Sequence, residues 1–409
     1  MTDTQASLAD GNDVVIVGAG PAGLSLACAL ADVGMSVRVL EQQPLAALET
    51  PAEDGREIAL THRSRRLMAR LGLWGELPPD AIAPLREARV LDGVRTQALR
   101  FAAPAFSTEP LGWLVPNHLI RASALAAVRR RTGVRLQCEA RVVALDLGRD
   151  RAGVTLADGR HCDAALVVAA DSRFSQTRRL AGIGASMRDF GRSIVVARMA
   201  HSLPNDGIAW ECFGYGNTLA LLPMNGDRSS VVITVPSHAA PEWLAMPEAE
   251  FAARIETQTG ARLGAMRLVG ARHHYPLVGA YAHKFAAHRF ALIGDAAVGM
   301  HPVTAHGWNL GLYGVETLAR ELEAALDGGR DVGGRAPLHA FEREHRLATR
   351  PIYLGTNALV SLFTDERAPA KLLRRAVLDT ARHLPVFSSL VKSLVTRQLT
   401  GDLGSRAHT

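Results

Sequence analysis

An aspartate between an apolar run and a glycine-spaced helix start offers the first candidate chemistry in the chain. Residues 294–312 read GDAAVGMHPVTAHGWNLGL and overlap the end of the short apolar run RFALIG (289–294). Asp295 ends the apolar run, and Gly307 and Asn309 open a run with helical spacing of apolar residues. This order suits a ligand that is held at the end of a strand and also contacts the N-terminus of a helix, whose backbone N–H groups attract negative charge.

A second stretch near the N-terminus has glycines at the spacing that phosphate binding requires. In DVVIVGAGPAGLSLACALADVGMSVRVLEQQ (13–43), Gly18, Gly20 and Gly23 follow an apolar strand and open a helix. The first glycine permits a tight turn, the second lets the backbone approach a pyrophosphate, and the third lets the helix pack closely on the strand. Glu41 ends the next strand, where a carboxylate can accept hydrogen bonds from ribose hydroxyls. The stretch predicts a dinucleotide site and favours FAD or NAD over a nucleotide with a 2′-phosphate.

The segments between these stretches do not form the series of βαβ units that a plain NAD dehydrogenase needs. Residues 55–74 predict a polar turn and a helix, and residues 115–137 predict a helix and a strand. Residues 138–183 predict an antiparallel meander and then a strand that ends at Asp171. We therefore expect an α/β fold with α+β insertions, in which a Rossmann-like FAD-binding domain is interleaved with a β-sheet substrate domain and followed by a helical C-terminus.

These patterns divide the chain of 409 residues into six segments. The FAD-binding domain is predicted to comprise residues 1–75, 115–184 and 283–330. The substrate domain is predicted to comprise residues 76–114 and 185–282, with its sheet in the second segment. Residues 331–409 are expected to form the helical C-terminal region.

Composition and charge argue against several other classes of protein. The chain is 48% hydrophobic and 21% charged, and its net charge of +6 comes almost wholly from arginine, because Lys284, Lys371 and Lys392 are the three lysines. No basic patch is interleaved with aromatic residues, so we expect no nucleic-acid partner. No run of about 18 apolar residues suits a spanning helix, and residues 1–12 are too polar for a signal peptide. The four cysteines lack metal or CxxC spacing, which favours reduced thiols in the cytoplasm.

Three motifs, in this order, resemble those of the flavoprotein aromatic hydroxylases, the class of para-hydroxybenzoate hydroxylase. They are the N-terminal G-x-G-x-x-G, the mid-chain strand-Asp motif and GDAA…P…G-x-N-x-G, and the resemblance covers about residues 12–365. Within this class the chain resembles the ubiquinone-biosynthesis branch (UbiH, UbiF and VisC). The stretches EDGREIALTH, LVPNHLIR, VAADSRFS and GDAAVGMHPVTAHG are most similar to 5-demethoxyubiquinol 5-hydroxylases of the UbiM type.

Two positions depart from the wider class. Ala170, Asp171 and Ser172 stand where that class usually has Gly-Asp-Gly, and Val298 stands where it often has histidine. Both departures match the UbiM-type variant, so they bear on the substrate rather than on the cofactor.

The resemblance implies a set of FAD-binding residues. Asp295 would hold a ribityl hydroxyl, and the helix start at 307–309 would point backbone N–H groups at the N1–C2=O edge of the flavin. Asp171 would lie near the pyrophosphate and an approach route for the nicotinamide. The full expected set is Gly18, Gly20, Gly23, Glu41, Arg56, Arg121, Asp171, Gly294, Asp295, Gly307, Trp308 and Asn309.

The resemblance also implies which residues flank the reacting ring. Pro302 would line the pocket beside the isoalloxazine, where its fixed φ keeps the loop rigid. Arg56 and Arg121 match positions that reach the FAD phosphates or flank the ring, although a surface ion pair is the alternative for each. Pro302 and Arg56 are therefore the candidate catalytic residues on the flavin side of the pocket.

Residues 209–224 (AWECFGYGNTLALLPM) have the alternation of a strand and fall where the class places its substrate sheet. The aromatic residues Trp210, Phe213 and Tyr215 suit either a sheet core or a wall over the flavin. The candidate substrate-pocket residues are Tyr215, Leu221, Leu222 and Pro223.

The implied chemistry uses FAD, with NAD(P)H as a transient co-substrate and molecular oxygen. Reduced flavin would form a C4a-hydroperoxide, and an electron-rich ring would take its distal oxygen. The expected substrate is a polyprenyl phenol or quinol of ubiquinone biosynthesis, with C5 of demethoxyubiquinol favoured. Another ring position, a soluble aromatic compound, and a non-catalytic prenyl-binding protein on a related fold remain as alternatives. No metal is expected, because His301 and His306 do not share a helix face.

Residues 371–400 hold six Lys/Arg side chains against one Asp, with apolar residues at helical spacing interrupted by Pro385. One interpretation is a basic amphipathic surface that rests on anionic lipid. The other is a terminal helical layer that packs on the body of the protein. With a polyprenyl substrate, we expect a bacterial cytoplasmic protein with peripheral contact to the inner membrane or to a ubiquinone-biosynthesis complex.

Overall fold

The computed structural model describes residues 12–92, 98–102, 109–213, 217–300 and 307–364. Its strands are β1 (Asn12–Val17), β2 (Val37–Leu40), β3 (Glu57–Leu60), β4 (Ala83–Leu85), β5 (Glu87–Asp92), β6 (Leu99–Ala102), β7 (Gly112–Pro116), β8 (Val134–Gln137), β9 (Val142–Leu147), β10 (Ala152–Leu156), β11 (His161–Ala169), β12 (Ala185–His201), β13 (Ile208–Phe213), β14 (Thr218–Pro223), β15 (Arg228–Pro236), β16 (Met266–Ala282), β17 (Ala286–Ala287), β18 (Phe290–Leu292) and β19 (Val298–Gly299). Its helices are α1 (Pro21–Asp32), α2 (Leu45–Glu49), α3 (His62–Arg70), α4 (Asn117–Arg129), α5 (Gln176–Leu180), α6 (Ala240–Ala245), α7 (Glu248–Thr259), α8 (Gly307–Asp327) and α9 (Arg335–Thr364).

The first sheet is built around a parallel core of nucleotide-binding type. Its strand order is β17-β18-β11-β1-β2-β8, and β10 and β9 extend it from β11. Strand β1 pairs in parallel with both β11 and β2. Its residues Val14, Val15 and Ile16 have no exposed surface, as expected for a parallel strand covered on both faces. The predicted α/β fold and the antiparallel meander after residue 138 are therefore present.

The second sheet is mainly antiparallel and has the order β19-β16-β12-β15-β14-β13-β5-β6. One of its faces packs on α6 and α7, where Trp243, Phe251 and Ile255 meet the buried strand residues Val195 and Ile233. The opposite face includes Val196, whose Cγ1 would lie 3.4 Å from a Cβ atom at Gly55. Gly55 precedes β3, so this face is turned toward the part of the chain that carries Arg56.

A three-stranded sheet of order β3-β7-β4 completes the strand layers. Strand β7 runs through the predicted boundary at 114/115, because it continues to Pro116, where α4 begins at Asn117. Strand β19 pairs with β16 of the second sheet although it lies inside the predicted FAD-binding segment 283–330. These two details correct the sequence-based boundaries locally, and the six-segment division itself stays a prediction.

Helices α8 and α9 pack on each other behind the first sheet. His345 of α9 is buried between them, with its ring against Phe341 and Phe285. Burial lowers the pKa of His345 to about 4, so the imidazole is neutral at pH 7. None of the described helices is both long and apolar enough to cross a membrane. All four cysteines are free thiols.

Candidate active site

The carboxyl ends of parallel strands bring most of the predicted cofactor residues to one edge of the first sheet. Gly18 follows β1, Glu41 follows β2, and Asp171 comes two residues after β11. Strand β18 leads into a 3₁₀ turn at Gly294–Ala296, which carries Asp295. Ligands of open α/β sheets bind at this edge, because the strand ends leave a crevice between the following loops.

The glycine-rich turn has the geometry that its spacing predicts. Gly18 has φ +110°, and a Cβ atom there would lie 2.7 Å from the carbonyl oxygen of Ala170. A Cβ atom at Gly23 would lie 2.0 Å from the carbonyl oxygen of Gly18, so α1 can pack this closely only with glycine. At Gly20, in contrast, a Cβ atom would meet nothing within 4 Å. The space beside Gly20 is therefore open to a ligand at the start of α1.

The N-terminus of α1 has no side-chain cap. Gly20 is its N-cap residue, and no side-chain hydrogen bond caps the helix there. The first backbone N–H groups of a helix lack intrahelical partners and attract phosphate. Glu41 is oriented next to this helix start, because one of its oxygens accepts from the N–H of Ala19 at 2.8 Å and the other from Gln43 at 2.9 Å.

Asp295 lies between the starts of α1 and α8. A Cβ atom at Gly294 would lie 3.0 Å from Cβ of Ala22, and a Cβ atom at Gly311 would lie 3.7 Å from Cα of Gly294. One oxygen of Asp295 accepts from the guanidinium of Arg173 at 2.9 Å. Arg173 also donates to the carbonyl oxygen of Val278, so it orients the carboxylate from the far side of the turn.

The side chain of Asn309 has a structural task that the sequence did not suggest. Its Oδ1 accepts from the N–H of Thr61 at 3.1 Å and from the hydroxyl of Ser64 at 2.7 Å, and its Nδ2 donates to the carbonyl of Ala59 at 2.8 Å. These bonds hold the β3–α3 turn against α8. The contact of backbone N–H groups at 307–309, in the first turn of α8, with a flavin stays a prediction.

Arg56 is held in place by an acid and an aromatic ring. Its guanidinium donates twice to Asp54, at 3.0 and 2.6 Å, and lies 5.2 Å from the ring centre of Tyr275. Asn117 donates to the same carboxylate at 2.7 Å. Burial alone would raise the pKa of Asp54, but the bonds from Arg56 and Asn117 outweigh it and lower this pKa. The Arg56 side chain keeps 42% of its surface exposed, so it can still reach a ligand.

Arg121 lies one helical turn after the start of α4 and is half-buried. Burial lowers the pKa of the nearby His118 ring, Asp54 opposes this shift, and the charge of Arg121 adds to it. The pyrophosphate role of Arg121 stays a prediction.

Asp171 accepts from the N–H of Thr177 with one oxygen, and its buried Oδ1 has no hydrogen-bond partner among the described residues. Such an atom is suited to receive a donor from a ligand.

The substrate-sheet predictions divide between the two faces of β14. Leu221 is 1% exposed and packs in the core under α6 and α7, so it cannot line a pocket on the opposite face. Leu222 and Pro223 follow it at the end of β14, and Leu222 pairs with Ser230 on the face turned toward Gly55. Trp210 packs with Leu221 on the helix-covered side. Pro302, Tyr215, His301 and His306 lie outside the described residues.

We call the glycine-rich turn, Glu41, Asp171, Asp295 and the start of α8 the cradle. Three observations show that the cradle suits FAD: the open space at Gly20, the uncapped start of α1, and the Oδ1 of Asp171, which has no partner among the described residues. Gly18, Gly20, Gly23 and Glu41 would hold the ADP half, and Asp295 with the start of α8 would hold the flavin half. Within the described part of the chain, no group of three or more His, Cys, Asp or Glu residues could hold a metal ion.

Comparisons with known proteins define the class. Residues 12–350 match the FAD binding domain family. The chain is 46% identical to ubiquinone hydroxylase UbiM of Neisseria meningitidis, over 95% of this chain and 85% of that protein. It is 40% identical to ubiquinone hydroxylase UbiL of Rhodospirillum rubrum, over 96% and 90% of the two chains. The structure of PqsL, a probable FAD-dependent monooxygenase from Pseudomonas aeruginosa, has the same fold, with a TM-score of 0.76 and 22% identity over 91% of this chain and all of that one.

The family match and the similarity to the two ubiquinone hydroxylases define the chain as an FAD-dependent monooxygenase, of the class that uses NAD(P)H and oxygen. More narrowly, the chain belongs to the FAD-dependent hydroxylase family that includes the ubiquinone hydroxylases UbiM and UbiL.

Three features of the site were not predicted from the sequence. Arg173 lies in the quoted motif VAADSRFS, yet nothing local indicates that it bonds Asp295, which is 122 residues away. A guanidinium nitrogen of Arg198, on β12, lies 2.9 Å from a carboxyl oxygen of the buried Glu57, on β3. This contact connects the second sheet to β3, the strand that directly follows Arg56. Glu211 lies on the open face of β13. Its signal was a lone acid in the apolar alternation of AWECF.

Proposed function

We propose that this chain hydroxylates the ring of a polyprenyl phenol or quinol in ubiquinone biosynthesis, with C5 of demethoxyubiquinol as the preferred position. The observation that supports this best is the open face of the second sheet, where Ala220, Leu222 and Val232 are partly accessible. An apolar surface of this kind suits a lipophilic ring better than a charged aromatic acid. The similarity to two ubiquinone hydroxylases supports the same substrate class.

The chain's own residues would orient the reactants and exclude water. Bound FAD supplies the redox chemistry, because with NAD(P)H and O₂ it delivers one oxygen atom to an electron-rich ring. Arg173 orients Asp295 on the ribityl side, and Asn309 keeps β3 and α8 together around the ring. The pair of Glu57 and Arg198 ties the substrate sheet to the same strand. Water exclusion between the two sheets would protect the activated oxygen from loss as peroxide.

Peripheral membrane contact is part of the same proposal. A polyprenyl tail partitions into lipid, and residues 371–400 carry the basic amphipathic pattern that anionic lipid attracts. We expect binding to vesicles with anionic lipid to fall when the chain is truncated after residue 366. A truncated protein that folds and binds these vesicles like the full chain would contradict this part.

The test is metabolite profiling of a deletion strain grown in air. We expect it to accumulate demethoxyubiquinone, and the wild-type gene to restore ubiquinone. A copy with Asp295→Ala should fail to restore it, whereas the matched control Asp327→Ala, at the exposed end of α8, should succeed. Accumulation of a different ring intermediate would mean that the enzyme hydroxylates another carbon of the ring. Normal ubiquinone in a strain with no second hydroxylase would reject the proposal and favour soluble aromatic substrates or a prenyl-binding role.

A further inference from the structure

The open face of the second sheet carries a continuous apolar patch. We define this patch by five residues on neighbouring strands: Val90, Ala209, Ala220, Leu222 and Val232. Each of them is partly accessible. Their neighbours in sequence on the opposite face, Leu91, Cys212, Leu219, Leu221 and Val231, are all at most 3% exposed and pack under the helices. The face that carries the patch is not accessible throughout, because Val196 and Ser230 on it are 1% and 0% exposed; the five patch residues are its partly accessible part.

Glu211 is the acidic residue in the middle of the apolar patch. On its strand it faces Ala220 of β14 on one side and Val90 of β5 on the other. None of the described residues donates a hydrogen bond to its carboxylate or forms an ion pair with it. Arg89 and Arg262 are on the other face, where both stack on Trp210.

A carboxyl with no partner in the described part of the chain is costly to keep in such a place. Burying a carboxylate without a donor disfavours its charged form, and burial raises the pKa of Glu211 to about 8. A valine or alanine would continue the alternation of β13 without this penalty. Titratable groups with shifted pKa values and no structural partner are typical of sites that receive a ligand.

Glu211 is separated from the flavin side by the width of three strand spacings. Glu211, Ala220, Val232 and Val196 form one row across four strands. Because neighbouring strands are about 4.8 Å apart, Glu211 lies about 14 Å along this row from Val196. Val196 lies against Gly55, directly before Arg56. A substrate ring over Ala220 and Val232 would therefore lie between the flavin side and the Glu211 carboxylate.

We propose that the Glu211 carboxylate binds the ring hydroxyl beside the carbon that is hydroxylated and accepts its proton. This rests on the proposed function, since the ligand is a phenol or quinol ring. The O–H bond of the ring breaks, a bond forms between the proton and a carboxylate oxygen, and the electron pair stays on the phenolate. The phenolate is the more electron-rich ring and the better acceptor of the activated oxygen. No further oxidant or reductant is needed for this proton transfer.

The experiment compares FAD-loaded wild type, Glu211→Gln and Cys212→Ala with a soluble short-chain demethoxyubiquinol. Cys212 is the adjacent residue on the opposite face, so its variant controls for disturbance of β13. The first measurement is kcat/KM for formation of the hydroxylated product between pH 6 and pH 9, together with the rate of NAD(P)H oxidation. The second is ring binding, followed by the change in flavin absorbance when phenol or the quinol is added.

We expect Glu211→Gln to keep FAD and NAD(P)H oxidation but to lose about 10²-fold in the hydroxylation rate. In wild type, kcat/KM should rise with pH through about 8, as the carboxyl becomes ionised. This inflection should be absent from Glu211→Gln and present in Cys212→Ala. Wild-type rates and an unchanged pH profile in Glu211→Gln would overturn the inference.

The binding measurement separates this inference from the proposed function. If the wild type forms no hydroxylated ring, the proposed function fails. Ring binding that is at least tenfold weaker in Glu211→Gln than in wild type would then still support a hydroxyl-binding Glu211. Equal ring binding by the two proteins would overturn the Glu211 assignment as well.

Discussion

Replacing Gly20 by alanine should separate FAD binding from folding. Gly20 has φ −67° and ψ 170°, which alanine adopts without strain, and a Cβ atom would meet no protein atom within 4 Å. The substitution should change the stability of the FAD-free protein by no more than about 1 kcal/mol, because the lower entropy of the unfolded chain opposes the poorer fit of alanine to an N-cap position. The added methyl group occupies the space through which a pyrophosphate approaches the backbone.

The expected loss of FAD affinity follows from one displaced hydrogen bond. A hydrogen bond to a charged group contributes about 1.5–3 kcal/mol. Since 1.4 kcal/mol is tenfold in affinity, the Kd for FAD should rise by about 10- to 150-fold. The measurements are a fluorescence titration of FAD into deflavinated protein and urea unfolding of the same protein.

Gly75→Ala is the matched control. Gly75 also has open space around it, in a 3₁₀ turn at Trp74–Glu76. It should show a similarly small change in stability and an unchanged Kd for FAD. Wild-type FAD affinity in Gly20→Ala, or a loss of stability well above about 1 kcal/mol in its FAD-free form, would refute the reasoning about this turn.

Three further predictions concern stability and are measured by urea unfolding. Gly23→Ala should destabilise even the FAD-free protein by about 3 kcal/mol or more, because its Cβ atom would lie 2.0 Å from the carbonyl oxygen of Gly18. An FAD-free variant with wild-type stability would be evidence against this contact. The folded-state pKa of His345 is lowered from 6.5 to about 4, so the unfolded chain binds the proton first and stability should fall by about 3 kcal/mol as pH drops through this window. His345→Leu should remove that part of the pH dependence, and equal slopes in both proteins would contradict it. Burial raises the pKa of Glu57, whose side chain is 1% exposed, to about 8. Above this pH, Arg198→Met leaves the Glu57 carboxylate without its partner and should cost about 3–5 kcal/mol. Adding Glu57→Gln to it should recover most of this loss, and no recovery would mean that the pair is not the cause.

Local patterns were sufficient to predict the cradle. The glycines at 18 and 23 are required by a positive φ and by a close backbone approach, and both requirements act between residues near in the chain. Asp171 and Asp295 were predicted at strand ends because a buried apolar run followed by an acid is readable from sequence. The parallel sheet then brings these ends to one edge, as its topology requires.

The substrate side was predicted less well. The alternation in β14 indicates a strand, but it does not say which of its two faces the helices cover. Leu221 was therefore predicted to line the pocket, although it lies in the core under α6 and α7, whereas Leu222 lies on the open face. A shift by one residue exchanges the faces of a strand, so the choice is made by register with distant strands.

The sequence by itself determined the class of cofactor, because a phosphate-binding turn is a local structure whose glycines and acid lie within about thirty residues. The tertiary structure decided which side chains meet across the chain. The guanidinium of Arg173 reaches Asp295, and the side-chain amide of Asn309 bonds the β3–α3 turn. Sheet order and register also placed Glu211 on the accessible face. These outcomes depend on contacts between residues far apart in sequence, which only the folded chain brings together.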